Sequence, residues 1–161
     1  MDPLGLSSTT FYHASDIRGE INPSMGRHGL DFNPSNQGGF YVTTDKSQAI
    51  KWAELRGHPT ITQFDIPNSE LDKLNIKVFE SADNEWAKFV TQGRANTLAH
   101  SYDAVSGPML ANPGAVKKGG KAKPIGSQLA IFSNKAAAVF ERYKVKKSVK
   151  VNEYYRWYSI Q

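Results

Sequence analysis

The sequence predicts an α+β fold, because short strand-like and helix-like segments follow one another without a regular strand-helix-strand repeat. The strand-like segments alternate polar and apolar residues or are rich in β-branched and aromatic residues, and turn residues separate them. Seven segments have this character, namely residues 10–15, 40–43, 60–66, 76–79, 102–106, 128–132 and 144–151. The chain has 161 residues, which suits one domain. We therefore expect a single domain built on a split antiparallel sheet.

Helices are predicted where a side chain that can cap a helix precedes an apolar face. Asp45 can cap a helix over residues 46–56, and Asp83 can cap one in which Trp86 and Val90 share a face. Two further helices are predicted over residues 69–74 and from residue 134 to about residue 143. We expect these short helices to flank the sheet.

Two long stretches are predicted to be loops. Residues 18–39 are rich in Asn, Gly and Pro, so we expect a surface loop there. Residues 111–126 contain Pro, Gly and Lys with almost no large hydrophobic residue, and we expect an extended loop with few core contacts. Gly107 and Pro108 should end the strand over residues 102–106.

The basic charge of the chain indicates which partners it would attract. A formal net charge of +5 and a pI near 9.4 favour molecules that carry phosphate, including a dinucleotide or RNA, or an acidic inhibitor protein. The basic residues concentrate late in the chain, at Lys117, Lys118, Lys121 and Lys123 and again at Lys144, Lys146, Lys147 and Lys150. A solvated loop and a charged edge strand would also explain these lysines.

Several function classes are disfavoured by what the sequence lacks. There is no cysteine, and the four histidines show no metal-ligand spacing, so we expect neither disulfides nor a metal. No run approaches the roughly 18 apolar residues of a membrane span, and the N-terminus lacks the features of a signal peptide. We expect a soluble chain that makes no membrane contact.

Three segments carry a resemblance to a known family. Residues 11–15 and 38–44 each place a polar aromatic residue, His13 or Tyr41, in a predicted strand, and Gln128 begins a late strand. This order resembles the strand signatures of ADP-ribosyltransferases, which use a His, a Tyr and a Glu or Gln to hold NAD. It is most similar to an uncharacterised bacterial branch with Tyr-His-Gly-Ser and Gly-Phe-Tyr-Thr-Thr signatures. The resemblance implies an ADP-ribosyltransferase-like split sheet and a mono-ADP-ribosyltransferase that uses NAD and no metal.

The resemblance also implies roles for individual residues. His13 would hydrogen-bond a ribose hydroxyl, the backbone of Ala14 would meet the nicotinamide amide, and the rings of Tyr41 and Trp52 would enclose the nicotinamide. Further contacts with NAD are expected from Ser15, Asp31, Phe32, Gly39 and Phe40, and with its pyrophosphate from Arg18 and Arg27. Each of these residues also has an ordinary structural explanation, such as core packing or loop exposure.

The third signature residue departs from the better-known enzymes, which have Glu where this chain has Gln128. A carboxylate about 4 Å from a developing cation contributes about 4 kcal/mol at an effective dielectric of 20, whereas an amide offers only a hydrogen bond. We expect Gln128 to occupy the strand position and to orient the ribose. Glu85 is a second candidate for the missing negative charge, although a Glu at the start of a helix also complements the helix dipole.

A second resemblance concerns the beginning of the chain. Residues 2–6, Asp-Pro-Leu-Gly-Leu, are similar to the sequence that closes the core of bacterial Rhs polymorphic toxins. The resemblance implies that residues 1–6 end an Rhs core and that residues 7–161 form one monomeric toxin domain. Such an effector would be secreted, for example by type VI secretion, would act in the cytoplasm of a target bacterium, and would have a cognate immunity protein.

The expected activity is the transfer of ADP-ribose to an essential macromolecule of the target cell. A translation component such as elongation factor Tu is the favoured acceptor, and structured RNA is an alternative. An NAD glycohydrolase, in which water replaces the acceptor, is a further alternative. A non-catalytic basic module that binds RNA is the alternative from another class.

Overall fold

The computed structural model describes residues 7–17, 19–145 and 148–151. The described residues leave out the expected Rhs junction over residues 1–6, and also Arg18, Lys146 and Lys147. The described parts of residues 1–21, 42–73 and 139–161 form a first compact unit. Residues 22–41 and 74–138 form a second unit.

Within the described residues the fold is α+β, with two sheets and five α-helices, which confirms the predicted class. The strands are β1 (Ser8–His13), β2 (Phe40–Val42), β3 (Thr60–Pro67), β4 (Ile76–Val78), β5 (Ala104–Leu110), β6 (Pro124–Ile131) and β7 (Val149–Lys150). The helices are α1 (Lys46–Leu55), α2 (Asn68–Leu71), α3 (Asn84–Arg94), α4 (Pro113–Lys117) and α5 (Asn134–Arg142).

The first unit contains a three-stranded sheet in the order β1-β3-β7. β1 runs antiparallel to β3, and Phe11 lies opposite Phe64. Both rings contact Phe140, with centroid distances of 5.3 and 5.4 Å. β7 lies at the sheet edge as predicted, although it is shorter than the expected strand over residues 144–151.

The capping residues of the predicted helices are confirmed. The carboxylate of Asp45 accepts a hydrogen bond from the N–H of Gln48 at 3.2 Å, and α1 begins at Lys46, the residue after Asp45. Asp83 caps α3 in the same way by accepting the N–H of Trp86 at 2.9 Å. Such bonds satisfy backbone donors that have no partner inside the helix. The short helix expected over residues 69–74 is displaced to Asn68–Leu71.

The second sheet has the order β2-β6-β5-β4. β5 and β6 are antiparallel, with Gly107 opposite Gln128, but β4 and β5 are parallel. The expectation of a purely antiparallel sheet is therefore wrong at this pair. α3 lies between the two strands in the sequence, and a helical crossover of this kind brings consecutive strands into parallel pairing.

The prediction that Gly107 and Pro108 would end a strand is also wrong. β5 continues to Leu110, and its register against β6 shifts between Gly107 and Met109. The shift accommodates Pro108, which has no N–H to give to the ladder. The carbonyl oxygen of Pro108 accepts a hydrogen bond from the indole Nε1 of Trp86 at 2.8 Å.

The predicted loop over residues 111–126 contains regular structure. It forms α4 and the first part of β6, and Val116 of α4 is buried in the core. The side chain of Asn112 holds the connection together by donating to the carbonyl of Lys121 and accepting from the N–H of Lys123. One buried valine anchors the helix, which is too weak a pattern to predict it.

The predicted surface loop over residues 18–39 is wrong for its central part. Phe32 and Asn33 are fully buried, and Asp31 is only 3% exposed. The ring of Phe32 packs in a core cluster with Phe79, Trp86, Val90, Val105, Leu110, Val116 and Ala130. The segment enters the core because other elements supply hydrogen bonds for its polar groups.

No helix among the described residues is long and apolar enough to cross a membrane.

We predict that Gly93→Ala destabilises the protein by ~1–3 kcal/mol, although alanine is the better helix former. A Cβ atom at position 93 would overlap the backbone carbonyl of Asp31. Chemical unfolding measures the change. Gly114→Ala is the matched control, because no atom lies within 4 Å of the added Cβ. Equal losses in the two variants would contradict the close packing of α3 on residue 31.

Candidate functional site

The carboxylate of Asp31 is the centre of a buried polar cluster in the second unit. Its Oδ1 accepts a hydrogen bond from Nε of Arg94 at 2.6 Å, which is also an ion pair. Its Oδ2 accepts from the backbone N–H of Leu110 at 2.8 Å and from the amide Nε2 of Gln128 at 2.9 Å. All three partners are donors, so the cluster is complementary to an ionised carboxylate.

Gln128 lies on β6 and is itself buried, with 8% exposure. Since a carboxylate only accepts hydrogen bonds, the amide group turns its NH₂ end toward Asp31. The orientation of the two amide atoms is therefore decided by the chemistry of the partner. The structure brings Gln128 and Asp31, two of the predicted site residues, into direct contact.

Tyr41 lies on β2 and is anchored through its hydroxyl. The hydroxyl oxygen accepts the backbone N–H of Phe32 at 2.9 Å, and the hydroxyl donates to Oδ1 of Asn33 at 2.7 Å. The residue is partly buried, and its ring packs against Phe32 and Phe132, with both centroid distances at 6.4 Å. Burial raises the pKa of the Tyr41 hydroxyl far above its usual range. The hydroxyl therefore serves as a hydrogen-bonding anchor between β2 and residues 32 and 33.

Asn33 completes the link between the loop and β2. Its Nδ2 donates to the carbonyl of Arg27 at 2.6 Å and to the carbonyl of Gln37 at 3.0 Å. Gly39 is buried beside it, and a Cβ there would overlap the ring of Phe132 and approach Oδ1 of Asn33. The Gly pair before Tyr41 is thus required for close packing, because a Cβ at Gly38 would also overlap the backbone of Gly26.

His100 supports the same segment from another side. Its Nε2 lies 2.8 Å from the carbonyl oxygen of Phe32, and its Nδ1 accepts the N–H of Tyr102 at 3.2 Å. This pair of bonds requires the neutral ring with its proton on Nε2. Burial lowers the pKa of His100, and the hydrogen bond to Phe32 opposes that effect only in part.

The predicted site residues of the first unit lie around the end of β1. His13 is the last residue of β1 and is partly buried. Ala14 is buried in a core cluster with Ala49, Ile50, Ala53, Ile61 and Val151, and Trp52 packs against that cluster. The N–H of Ser15 donates to the carbonyl of His13, and the carbonyl of Ser15 accepts from the hydroxyl of Thr62. The chain therefore turns tightly directly after His13.

Glu85 lies apart from the Asp31 cluster, on an exposed part of α3. Its carboxylate forms an ion pair of 2.7 Å with Nζ of Lys77, and this hydrogen bond raises the pKa of Lys77. The side chain of Glu85 is 64% exposed. It borders an open cleft of about 420 Å³ whose lining includes His100 and Tyr102 but neither Tyr41 nor Gln128. The charge of Glu85 is thus largely compensated by Lys77.

The remaining residues that were predicted to contact NAD differ in their exposure. Phe40 precedes Tyr41 on β2 and is partly buried, and the side chain of Arg27 is exposed. Within residues 7–17, 19–145 and 148–151, no group of three or more His, Asp or Glu side chains could hold a metal ion. The residues that the sequence analysis missed are Asn33, Arg94 and His100.

Asp31→Asn should destabilise the protein by ~3–5 kcal/mol, because either amide orientation would face a donor with a donor and leave the partly buried Arg94 without its charge partner. Urea unfolding of wild type and variant measures the loss. Asp72→Asn, at an exposed position, is the control. A loss no larger than that of the control would show that Asp31 does not hold the second unit together.

The half-buried, neutral His100 predicts a pH-dependent stability. Its folded-state pKa lies below the ordinary value of 6.5, so the unfolded state binds the proton more readily. The contribution to stability is complete above pH 6.5 and is lost as the pH falls from there toward the folded-state pKa. Urea unfolding across this range should show a smaller pH dependence in His100→Gln than in wild type. Identical dependence in both proteins would contradict the lowered pKa of His100.

Comparison with known proteins identifies the family of this chain. Residues 9–117 match the model of the family described as Protein of unknown function (DUF3990). The match includes Asp31, Tyr41 and Arg94 and ends before β6, which carries Gln128. A search of curated proteins found no match. Because the matched segment makes up more than half of the 161 residues, the chain belongs to the DUF3990 family.

Proposed function

We propose that this chain transfers ADP-ribose from NAD to a macromolecule and releases nicotinamide. The observation that carries the proposal is the linked placement of two signature residues in the second unit. Tyr41 on β2 and Gln128 on the neighbouring strand β6 are both held by residues 31–33. A shared support for an aromatic ring and an amide is suited to holding a planar base next to a sugar.

The proposed reaction breaks the bond between nicotinamide and ribose. Nicotinamide leaves with the bonding electron pair, an oxocarbenium-like ribose develops, and an acceptor nucleophile attacks the same carbon and loses its proton. In this scheme the imidazole of His13 hydrogen-bonds a ribose hydroxyl, and the ring of Tyr41 stacks on the nicotinamide. Gln128 accepts a hydrogen bond from a ribose hydroxyl. Trp52 contributes a second aromatic surface and Glu85 is a secondary candidate for the negative charge.

The finer fold assignment is part of the same proposal. An ADP-ribosyltransferase-like split sheet is supported by the two separate sheets and by the antiparallel pairs β1-β3 and β5-β6. The three-residue strand β2, which carries Tyr41, begins directly after the buried Gly pair. The parallel pair β4-β5 is an addition at the edge of this arrangement.

The proposed biological role is that of an antibacterial toxin. Residues 2–6 resemble an Rhs junction, and on that resemblance the domain is a secreted effector that acts in the cytoplasm of a target bacterium. Its producer would then carry a cognate immunity protein. A translation component such as elongation factor Tu is the proposed protein acceptor.

One observation favours structured RNA as a second acceptor. Lys117, Lys118, Lys121 and Lys123 are exposed on α4 and the connection that follows it, and among the described residues no carboxylate pairs with them. The bonds of Asn112 and the buried Val116 anchor the backbone of this connection. A group of uncompensated lysines on one connection is suited to a phosphate backbone.

Incubation of a bacterial lysate with the protein and labelled NAD tests the proposal. Label that survives nuclease and is lost with protease identifies a protein acceptor, and the reverse pattern identifies RNA. Rapid release of nicotinamide without labelled macromolecule would instead indicate an NAD glycohydrolase. RNA binding without any consumption of NAD would leave the non-catalytic module as the answer.

We expect His13→Ala and Tyr41→Ala each to lower the rate of transfer by about tenfold or more, because each removes a group that orients NAD. Initial rates with labelled NAD measure the effect. Circular dichroism checks that the variants remain folded. Lys51→Ala, at an exposed position on α1, should retain the wild-type rate. A folded Tyr41→Ala variant with the wild-type rate would refute the proposed site.

If RNA is the acceptor, the double variant Lys118→Gln and Lys121→Gln should bind RNA more weakly and with a smaller salt dependence. Each lost phosphate contact lowers the slope of log K against log salt by about 0.7 to 0.9. Fluorescence anisotropy with a labelled hairpin measures both quantities. The double variant Lys51→Gln and Lys88→Gln has the same net charge and should keep the wild-type slope. Equal slopes in both double variants would argue against this surface.

A further inference from the structure

We infer that Asp31 and Arg94 are positioning residues that orient the Gln128 amide, so that its Oε1 atom faces the ribose of the bound substrate. This inference rests on the proposed function. The contacts that carry it all lie in the second unit, where Arg94 bonds Asp31 and Asp31 bonds Gln128. In this scheme neither Asp31 nor Arg94 touches the substrate itself.

The two ends of the Gln128 amide differ, because Nε2 donates hydrogen bonds and Oε1 accepts them. Rotation of the Gln128 side-chain amide by half a turn exchanges a donor for an acceptor, and in water the two orientations are similar in energy. Asp31 lies 2.9 Å from Nε2 and can only accept a hydrogen bond. The carboxylate therefore selects one orientation and leaves Oε1 as the end of the amide that can accept a bond from a hydroxyl.

The carboxylate of Asp31 favours glutamine over glutamate at position 128. A glutamate at position 128 would bring a second carboxylate to the place where Nε2 now meets Asp31. The two negative charges would repel in a buried setting, because both side chains are almost completely covered. The departure from the better-known enzymes is thus the expected partner of a buried Asp31.

The negative charge of Asp31 is balanced by the positive charge of Arg94. Arg94 places its guanidinium Nε 2.6 Å from Asp31 and neutralises it, so the amide is oriented without a net negative charge in the core. Only 21% of the Arg94 side chain is exposed, and its helix is held close to residue 31 by Gly93. Loss of Arg94 would free the carboxylate to move toward water and release Gln128.

The Gln128 amide and the Tyr41 ring are held by the same short segment. Residues 31–33 hold Gln128 through Asp31 and hold the hydroxyl of Tyr41 through the backbone N–H of Phe32 and Oδ1 of Asn33. One tripeptide thus determines the positions of both groups. A shift of Asp31 would move Phe32 and Asn33 with it, because the three residues are consecutive and buried.

Steady-state kinetics with labelled NAD and bacterial lysate tests the inference on the full chain. Arg94→Met should lower kcat about tenfold or more, with the KM for NAD changed less than about twofold, because positioning acts on the reacting geometry. Arg94→Lys keeps the positive charge and should recover at least part of kcat. Arg142→Met, on an exposed position of α5, is the matched control and should keep the wild-type kcat.

Gln128→Glu provides the second comparison. We expect it to be slower than wild type by about tenfold or more, even though it introduces the residue of the better-known enzymes. Gln128→Met has a similar size and no charge, so it tests the loss of Oε1 if the glutamate variant does not fold. Thermal unfolding of every variant separates loss of fold from loss of rate.

The outcomes separate the inference from the function on which it rests. A wild-type chain that neither transfers ADP-ribose nor consumes NAD overturns both. An active wild type together with a folded Arg94→Met variant of unchanged kcat overturns the positioning role alone. A Gln128→Glu variant that equals or exceeds the wild-type rate also overturns it.

Discussion

The buried carboxylate of Asp31 is the interaction on which the second unit depends. A charge removed from water is stable only when hydrogen bonds and an opposite charge replace its hydration. Here those partners come from α3, β5 and β6, through Arg94, Leu110 and Gln128. Because the loss of any one of these partners would reduce the free energy of unfolding, the carboxylate determines where these elements lie relative to residues 31–33. Hydrophobic packing of Phe32 and Trp86 supplies the surrounding core but does not specify one arrangement so narrowly.

The same cluster links structure to the proposed chemistry. It occupies the hydroxyl of the partly buried Tyr41 with two hydrogen bonds, so the role proposed for this residue is an aromatic one. It gives Gln128 one amide orientation, so a hydrogen-bonding role is favoured over a purely structural one. Glu85 is compensated by Lys77, which makes it the weaker candidate for stabilising a cation. In the proposed reaction these residues would therefore orient NAD and would not stabilise charge with a carboxylate.

Local features of the fold could be predicted, and distant ones could not. The caps of α1 and α3 follow from residues three positions apart, and the edge position of β7 follows from its alternating lysines. By contrast, Asp31 and Arg94 are separated by 63 residues, and no local pattern joins them. The prediction of a surface loop over residues 18–39 was wrong in its central part for this reason. Polar residues such as Asp31 enter a core when distant residues supply their hydrogen bonds.

The candidate site shows the same division. Strand positions for His13, Tyr41 and Gln128 were expected from the sequence, and each does lie on a strand. Arg94 at the end of a helix would ordinarily be assigned to the helix dipole, and His100 to a loop. Their functions in the network become visible only through contacts with Asp31 and with the carbonyl of Phe32.

The NMR signal of the Gln128 side-chain NH₂ group, followed during titration with NAD, measures directly whether Asp31 orients this amide for the substrate. We expect one pair of signals that exchanges slowly with water, because Asp31 holds the group. Saturating NAD should shift both signals while the slow exchange persists. Signals that show a freely rotating amide, or that do not respond to NAD at any concentration, would refute this role of Asp31.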